Sequence, residues 1–333
     1  MTAIDDRPAT AYPPLKRVIT RGHYRDVITG ELLKSVTTII SQGVPKPALV
    51  YWAGNLTAET AMDNLPYLAA AAEGSEADYT QAYDWLRKAH TRKKDDRADL
   101  GKAIHKLIEA DVLGEPVSQE LLDNPDFAPY IARFREFVRD FQVTFEASEM
   151  VVANYTEGYA GTLDDTFRSP FINGGKLTMG DVKSGGELGV KGVYAEAGAQ
   201  MAAYRHAEFG WLRDGSRIPM PETHGGVVLH LRPEGCWVVP VRCDEVVFGK
   251  FLHAKEVAEF TSRIAKTVVG EPMHPGDGHV LRADGTCCYC PLEPKPAPVT
   301  QVPEPEPCDG SCEDPDYCID CATKVPADPR KAV

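Results

Sequence analysis

The chain has 333 residues, 43% of them hydrophobic, and a formal net charge of −13 at pH 7. This length allows one large domain or two smaller ones, with enough apolar side chains for a sizeable core. The acidic balance argues against a general nucleic-acid-binding surface, because phosphate binding normally needs an excess of lysine and arginine. The sequence has no apolar run of about 18 residues, so it predicts no membrane span and no membrane partner. The polar, proline-rich residues 1–15 do not resemble a secretory signal, and we expect a cytoplasmic location.

The N-terminal part of the chain predicts a short β-rich entry followed by helices. Residues 35–40 suit a strand or a strand-to-helix turn, because they are rich in β-branched side chains. Residues 46–71 predict a helical region that has Pro47 in its first turn. Residues 79–113 predict further helices, and apolar side chains recur at helical spacing from Leu100 onward.

An aromatic helix precedes a change to β-structure at residue 145. Residues 127–141 predict an amphipathic helix whose aromatic stripe packs into the core. Residues 149–153, 159–167 and 176–183 predict three successive strands, and the turn at 173–175 joins the last two as a hairpin.

The pattern after the three strands predicts a helix, a hairpin and a closing helix. Residues 194–209 predict the first helix. Residues 226–231 and 236–241 predict the hairpin, with its turn at 233–235, and residues 244–268 predict the closing helix. The order of all elements predicts an α/β or α+β fold, in which helices flank a mixed central sheet.

The triplet Asp181-Val182-Lys183 places an acid and a base on one face of a strand. Side chains alternate along a strand, so Asp181 and Lys183 point to one side and Val182 to the other. The carboxylate could bind a divalent cation while the ammonium stabilises charge or positions a water molecule. The alternative is an ordinary solvated edge that carries a salt bridge.

A second acidic pair occurs in the preceding strand of the hairpin. If Leu163 packs in the same core layer as Val182, Asp164 points to the same side as Asp181. Two carboxylates that face one site repel each other, and a cation such as Mg²⁺ or Mn²⁺ between them removes that repulsion. Asp165 should then face the other way, as a turn or surface residue.

The predicted helix after residue 100 carries one histidine, His105. A lone histidine on an apolar helix is either a core residue or a ligand, and Gly101 one turn before it indicates close packing or close approach of a ligand. Arg97 could hold a phosphate or lie on the helix surface, and we favour the surface. A local basic run, residues 92–94, stands out in the otherwise acidic chain.

These residues, in this order, resemble the RecB-type branch of the PD-(D/E)XK nucleases. The resemblance covers residues 97–204, and residues 35–40 and 46–52 are similar to phage-encoded exonucleases of that branch. The matching positions occur in five groups along the chain: Gly101 and His105; Glu149; Gly161 and Asp164; Asp181 and Lys183; Gln200 and Tyr204.

The resemblance implies a restriction-endonuclease-like core over residues 96–280, after an N-terminal strand and helical region at 1–95. It implies that His105, Asp164 and Asp181 hold Mg²⁺ or Mn²⁺, with the Val182 carbonyl as a further ligand. The implied catalytic group comprises Lys183, with Glu149, Gln200 and Tyr204 in support. The implied activity is hydrolysis of DNA by an exonuclease in phage-type recombination or replication, in the host cytoplasm if the chain is phage-encoded.

Residues 281–333 predict a proline-rich linker and a cysteine-rich tail. Cys308, Cys312, Cys318 and Cys321 could form a four-thiolate Zn²⁺ site. An Fe–S cluster, which some relatives hold, or no metal are the alternatives. The tail could also bind recombination or replication proteins. Cys236 and Cys243, which flank a predicted strand, are expected in the core.

Two other functions stay open at this point. The chain could be a catalytically silent nucleic-acid-binding or interaction module on the same fold, although such a module need not keep every charged residue of the site. It could also be a structure-specific endonuclease or junction resolvase with the same chemistry. The sequence has no P-loop, so any ATP-driven unwinding would come from a partner.

Overall fold

The structure is a computed structural model that describes residues 15–18, 22–185, 192–270 and 282–283. Residues 1–268 belong to one compact unit and residues 269–333 to a second. All elements given below belong to the first unit. The four tail cysteines of the predicted Zn²⁺ site lie outside the described residues. In the described part of the chain, no helix is both long enough and apolar enough to cross a membrane.

Ten strands form a single sheet in the described part of the chain. The strands, in chain order, are β1 Leu15–Val18, β2 His23–Asp26, β3 Leu32–Ser35, β4 Thr144–Asn154, β5 Tyr159–Arg168, β6 Thr178–Lys183, β7 Phe209–Trp211, β8 Arg217–Pro219, β9 Gly226–Arg232 and β10 Gly235–Val241. The path through the sheet is β1-β2-β3-β5-β4-β7-β8, and β6 connects β5 to β9 and β10. The pairs β3–β5 and β6–β9 are parallel and the others are antiparallel, so the sheet is mixed, as predicted.

Strand β5 lies at the centre of the sheet and has one incomplete edge. Its first edge pairs with β4 along the whole strand. Its second edge pairs with β3 at Tyr159 and Ala160, and with β6 only from Asp165 to Phe167. Residues 161–164 therefore have no partner strand on that edge among the described residues. Since β3 and β6 both end at this gap, Ser35 at the end of β3 and Ser184 and Gly185 after β6 lie beside it.

Nine α-helices accompany the sheet in the described residues. They are α1 Val36–Gly43, α2 Pro47–Asp63, α3 Leu65–Glu73, α4 Glu76–Arg87, α5 Ala89–Leu113, α6 Gln119–Asp123, α7 Ala128–Asp140, α8 Glu196–Arg205 and α9 Glu245–Ser262. Short 3₁₀ turns occur at Asn173–Gly175 and Ile264–Thr267. Helix α5 runs without a break across the domain boundary that the sequence predicts at residue 95.

Two hydrophobic layers cover the two faces of the sheet. Alternate residues of β9 face opposite sides, so Val228 packs with α1, α8 and α9, whereas Val227 and Leu229 pack with α5 and α7. The predicted aromatic stripe of α7 lies in the second layer, where Phe134 and Phe137 are fully buried. This arrangement confirms a mixed sheet flanked by helices.

The turn from β3 into α1 is held by a serine cap. Ser35 Oγ accepts a hydrogen bond from the backbone N–H of Thr38 at 3.1 Å, which satisfies a donor that the first helical turn leaves free. Of the two alternatives for residues 35–40, the strand-to-helix turn is therefore correct. Pro47 begins α2 as predicted, because a proline in the first turn gives up no helical hydrogen bond.

The segment that follows β6 differs in part from the prediction. Both predicted hairpins are present, β5–β6 and β9–β10. The helix expected over 194–209 is shorter, because α8 ends at Arg205 and the chain then forms β7 and β8. Each of these strands has three residues, which is too short to give a recognisable alternation of polar and apolar side chains.

Candidate functional site

A cavity of about 810 Å³ occupies the gap along β5. Its floor is the unpaired stretch of β5 from Gly161 to Asp164. The ends of β3 and β6 lie on either side, with Ser35 from one and Lys183 from the other. Helices α5 and α8 contribute residues from the two opposite layers. The cavity therefore forms where the sheet opens and both helical layers reach the same point.

Three side chains with metal-ligating atoms converge in this cavity. One atom from each of His105, Glu149 and Asp164 lies within 4.8 Å of the other two. All three residues line the cavity, and each is partly exposed. One imidazole and two carboxylates at this separation are chemically suited to a divalent cation.

The position of His105 is fixed by a hydrogen bond to β6. Its Nε2 lies 3.0 Å from the carbonyl oxygen of Val182, which can only accept, so Nε2 carries the proton and donates. Nδ1 lies 3.6 Å from Asp164 Oδ2, and in the neutral imidazole it carries the lone pair that a cation would use. The Val182 carbonyl, which the resemblance implies as a further metal ligand, accepts this hydrogen bond and so orients the histidine.

Asp164 lies where β5 and β6 separate. The backbone N–H of Val182 donates to Asp164 Oδ2 at 2.9 Å, so a side chain takes the place of the partner carbonyl that the ladder would supply. The last pair of the β5–β6 ladder is Asp165 with Gly180, so Asp164 is the first residue of β5 beyond the ladder. The separation of the two strands therefore directs the carboxylate of Asp164 into the gap.

The expectation that Leu163 and Val182 pack in the same core layer is wrong. Leu163 packs in the layer of α1, α8 and α9, whereas Val182 packs in the layer of α5 and α7. Strict alternation from Phe167, which also lies in the α5 layer, would place Leu163 in that layer too. The alternation of side chains between the two faces of β5 therefore breaks between Leu163 and Asp165, at the position of Asp164.

The neighbouring strand has its own irregularity at the same level. The pairs Ser148–Asp165 and Met150–Leu163 leave Glu149 opposite Asp164. The φ angle of Glu149 is +51°, a left-handed conformation that L-residues with a Cβ rarely adopt. Backbone strain of this kind persists only where the surrounding structure enforces it, and it is concentrated at functional sites.

Asp181 and Lys183 form an ion pair beside this group. Lys183 Nζ donates to Asp181 Oδ1 at 2.6 Å, and Gln200 Nε2 donates to the same oxygen at 3.1 Å. Gln200 also donates to the Tyr204 hydroxyl at 3.3 Å, so two residues one turn apart on α8 act together. Asp181, which the resemblance assigns to the metal, lies outside the group formed by His105, Glu149 and Asp164.

The electrostatics of the pair follow from burial and from the clustered charges. Burial raises the pKa of Asp181, Lys183 opposes that change, and Asp164 adds to it. Burial lowers the pKa of Lys183, but the carboxylates of Asp181 and Asp164 outweigh it and the net shift is upward. Lys183 is therefore an ammonium ion at neutral pH.

One oxygen of Asp181 has an unsatisfied position. Oδ2 is buried and has no hydrogen-bond partner among the described residues. A buried carboxylate oxygen without a partner costs free energy, which a bound cation or proton would recover. This oxygen and the donor set of His105, Glu149 and Asp164 both fit a divalent cation at the site.

Tyr204 closes the floor of the cavity against β5. A Cβ atom at Gly161 would lie 2.4 Å from Tyr204 Cε1, so the ring rests directly on the glycine backbone. Tyr204 is buried, and burial together with the nearby Tyr24 and Asp164 raises its pKa well above the usual range. The phenol is therefore a neutral hydrogen-bonding group that positions Gln200.

Asp165 is not the surface or turn residue that the sequence predicts. It is 2% exposed, and its Oδ1 has no hydrogen-bond partner among the described residues. Burial raises its pKa to about 7, Ser148 opposes this by a hydrogen bond, and Asp164 and Glu109 contribute to the rise. The sequence gives no sign of this because a buried and an exposed aspartate look alike in a strand of mixed polarity.

Some other lining residues, such as Tyr24, have no signal in the sequence, whereas Gly101 was indicated by it. Tyr24 comes from β2, more than a hundred residues before β5, and its hydroxyl lies 2.8 Å from Thr162 Oγ1. Ser35 reaches the cavity because it ends β3. Gly101 lines the cavity as well, but a Cβ there would make only an ordinary 3.5 Å contact with Ser184 Oγ, so close protein packing does not require it.

The two cysteines of the described chain are core residues, as predicted. Cys243 is buried with the α1, α8 and α9 layer, and the partly buried Cys236 packs against the other layer. Burial raises the pKa of Cys236 to about 12, so this thiol is protonated at neutral pH. Neither residue lines the cavity.

Comparison with known proteins leaves the chain without a family. No protein-family description matches it, and no curated protein matches it. Among solved structures, the crystal structure of SSO0001 matches with 13% sequence identity and a TM-score of 0.24, over 49% of this chain and 75% of that chain. A likeness of this size carries no argument, so the function must be inferred from the geometry of the site.

Proposed function

We propose that the chain is a metal-dependent deoxyribonuclease of the PD-(D/E)XK class, and that it acts as an exonuclease on linear DNA. The observation that carries the proposal is the convergence of His105, Glu149 and Asp164 within 4.8 Å, beside the Asp181–Lys183 pair. These groups come from three strands and a helix. An acid, an imidazole and an amine in one solvent-connected cavity are the components that hydrolysis of a phosphodiester requires.

In this proposal the site holds Mg²⁺ or Mn²⁺. His105 Nδ1 and the carboxylates of Glu149 and Asp164 are the side-chain ligands, and Asp181 Oδ2, which has no hydrogen-bond partner among the described residues, would be a fourth ligand atom. When bound, the cation would polarise the phosphate and lower the pKa of a water molecule. This ligand set adds Glu149 to the three residues that the resemblance implies.

Lys183 would act as a charged hydrogen-bond donor. Its raised pKa keeps it protonated at neutral pH, so it stabilises the negative charge that develops on the phosphate oxygens and does not remove a proton. Hydrolysis adds a water oxygen to phosphorus and breaks one P–O ester bond, and the released sugar oxygen takes up a proton. Asp181 holds the ammonium in place, and Gln200 holds Asp181.

The resemblance favours an exonuclease of phage-type recombination or replication. A silent interaction module would not need the ion pair of Asp181 and Lys183, nor the strained backbone of Glu149, since both features cost free energy. Their presence in the same cavity therefore favours catalysis.

The test offers labelled linear duplex, linear single-stranded and closed circular DNA with Mg²⁺, Mn²⁺ or EDTA. We expect the wild-type chain to degrade linear DNA with either metal, to leave circles intact, and to lose its activity in EDTA. Asp164→Asn keeps an acceptor for the Val182 N–H but removes the charge, and Lys183→Ala removes the ammonium. Both should reduce the rate at least a hundredfold, on the order of the loss of one electrostatic group at an active site.

Asp63→Asn is the matched control, because Asp63 is exposed on α2 and lies outside the cavity. It should retain wild-type activity. Degradation that survives both Asp164→Asn and Lys183→Ala would overturn the assignment of the site. Failure of the wild-type chain to cleave any of the DNA forms would overturn the nuclease proposal.

A further inference from the structure

Helix α5 carries a stripe of residues that begins outside the cavity and ends inside it. Lys93, Arg97, Gly101 and His105 are spaced four residues apart, so their side chains lie along one face of the helix. From Arg97 to His105 the helix rises about 12 Å. The two cations at the start of the stripe therefore lie a few nucleotide lengths from the candidate metal ligands.

These cations line a second cavity, of about 290 Å³, which we call the basic cavity. Lys93 and Arg97 contribute from α5, and Arg232 contributes from the end of β9. Asp96 is the one acidic residue in its lining. Ser184 and Gly185 line both the basic cavity and the candidate active site, so the two spaces adjoin at the end of β6.

Two of the three cations form no ion pair with any residue that the structure describes. Arg232 Nη1 donates to the Ser184 carbonyl at 2.9 Å, and its Nε lies 3.7 Å from Glu234. Lys93 and Arg97 make no hydrogen bond or ion pair with any described residue. Like charges four apart on a helix repel each other, so this pair is unfavourable for the free protein. In a chain of net charge −13, such an arrangement indicates an anionic ligand.

Gly101 leaves the surface between the two cavities open. A glycine inside a helix is less favourable than alanine, and a Cβ at this position would meet only Ser184 Oγ at an ordinary distance. The protein's own packing therefore does not explain the glycine. A ligand that passes closely over α5, from the basic cavity to His105, does explain it.

We infer that the basic cavity binds a phosphate of the same DNA strand that is hydrolysed at the site of His105, Glu149 and Asp164. This inference rests on the proposed function and extends it to the path of the substrate. Lys93 and Arg97 contact the phosphate, and Arg232 lies on the opposite wall. The strand then crosses α5 at Gly101.

The test measures binding of fluorescein-labelled DNA by anisotropy in EDTA, over a series of salt concentrations, so that no cleavage interferes. Lys93→Ala and Arg97→Ala should each weaken binding several-fold. Each should also lower the slope of log affinity against log salt, by about 0.7 to 0.9 for one lost phosphate contact. Lys94→Ala is the matched control, because Lys94 is exposed on the same helix, has the same charge as Lys93 and lines neither cavity.

Equal effects of Lys93→Ala, Arg97→Ala and Lys94→Ala would overturn the inference, since the loss would then reflect net charge alone. A closed circular single strand, which has no terminal phosphate, separates two sources of the ligand. If the Arg97→Ala effect persists on the circle, the bound phosphate is internal. If it appears only on linear DNA with a phosphorylated end, the bound phosphate is terminal. Both results support a phosphate site.

Hydrolysis by the wild-type chain is measured beside the binding to keep the two proposals apart. If the wild-type chain hydrolyses DNA but the cavity variants bind like the Lys94→Ala control, only the basic cavity is wrongly assigned. If the wild-type chain neither binds nor hydrolyses DNA, the nuclease proposal fails and this inference fails with it.

Discussion

Glu149 lies directly opposite Asp164 across the β4–β5 ladder, in a left-handed backbone conformation with φ of +51°. The partner of this strained residue is itself the point where β5 changes its facing. Both irregularities bring carboxylates to one cavity with His105. The strained geometry of the sheet lowers stability, and we infer that it is retained because it brings these groups together.

Replacing the strained glutamate by glycine should separate stability from activity. Glu149→Gly removes the Cβ that makes φ of +51° unfavourable, so the free energy of unfolding should rise by up to about 1 kcal/mol. The same change removes a candidate metal ligand, and DNA cleavage should be lost. Urea denaturation and the cleavage assay measure the two effects.

Glu149→Gln is the control for this prediction. It removes the same charge but keeps the Cβ and the strain, so it should lose cleavage, and the gain in stability of Glu149→Gly beyond that of Glu149→Gln measures the backbone strain. A Glu149→Gly chain that is strongly destabilised would contradict the view that the backbone there is strained.

The contact between Gly161 and Tyr204 makes a second prediction. A methyl group at position 161 would lie 2.4 Å from Cε1 of the buried Tyr204 ring, so the ring or the backbone would have to shift. Gly161→Ala should therefore lower the free energy of unfolding by about 1–3 kcal/mol. Gly101→Ala is the matched change in the same cavity lining, and it should raise stability by up to about 1 kcal/mol through helix propensity. Thermal unfolding of both variants measures these changes in stability. Similar effects of Gly161→Ala and Gly101→Ala would contradict the prediction that the Tyr204 ring contact makes position 161 the more sensitive one.

The Asp181–Lys183 pair should show measurable coupling. Lys183→Met leaves a buried carboxylate without its cation, whereas Asp181→Asn removes the charge that needs it. Because the Lys183 side chain is 40% exposed and Asp181 only 3%, solvent screening reduces the pair's energy, and we expect coupling of about 1 kcal/mol. A double-mutant cycle of unfolding free energies measures it. Additive effects would mean that the 2.6 Å contact contributes nothing to stability.

Asp165 should make the metal-free chain less stable as pH rises. Its folded pKa of about 7 lies above the usual 3.8, so the folded state keeps a proton that the unfolded state loses. The free energy of unfolding therefore falls as pH rises from about 4 to about 7, and this contribution is constant above that window. At about 1.4 kcal/mol per pH unit, the total is on the order of 4 kcal/mol.

Asp165→Asn should abolish this dependence. The amide is neutral at every pH and can still accept from Ser148, so the variant should match the wild type below about pH 4 and exceed it above about pH 7. Urea unfolding in EDTA across this range provides the measurement. Parallel pH profiles for the two chains would show that Asp165 is ionised in the folded state.

Hydrophobic periodicity was enough to predict the main elements of the fold. Helix α7 and the hairpins β5–β6 and β9–β10 are present, because each carries a clear apolar pattern or turn sequence. The three-residue strands β7 and β8 are too short for such a pattern. The pairing of β3 with β5 joins segments more than a hundred residues apart, and no local feature of the sequence specifies it.

The site was harder to predict than the fold because it depends on departures from regular structure. The sequence argument selected His105, Asp164 and Lys183, and the structure places all three in the lining of one cavity. The argument relied on strict alternation, which fails between Leu163 and Asp165. Strict alternation placed Asp165 at the surface, whereas it is 2% exposed. The resemblance implied Asp181 as a metal ligand and Glu149 in support, and the structure groups Glu149 with His105 and Asp164. Positive φ in a strand cannot be inferred from residue type when the residue is a glutamate.

The gap along β5 forms only after distant parts of the chain have come together. Its lining is drawn from residues as distant as Tyr24 and Tyr204, and the three clustered ligating groups are spread over residues 105–164. Contacts over such long separations require the closure of long loops, which slows folding. A chain still emerging from the ribosome has an incomplete centre until α8 has been synthesised and has docked. Under the proposed function, unfinished or partly unfolded copies would lack a complete site, so DNA cleavage would report on the integrity of the whole fold.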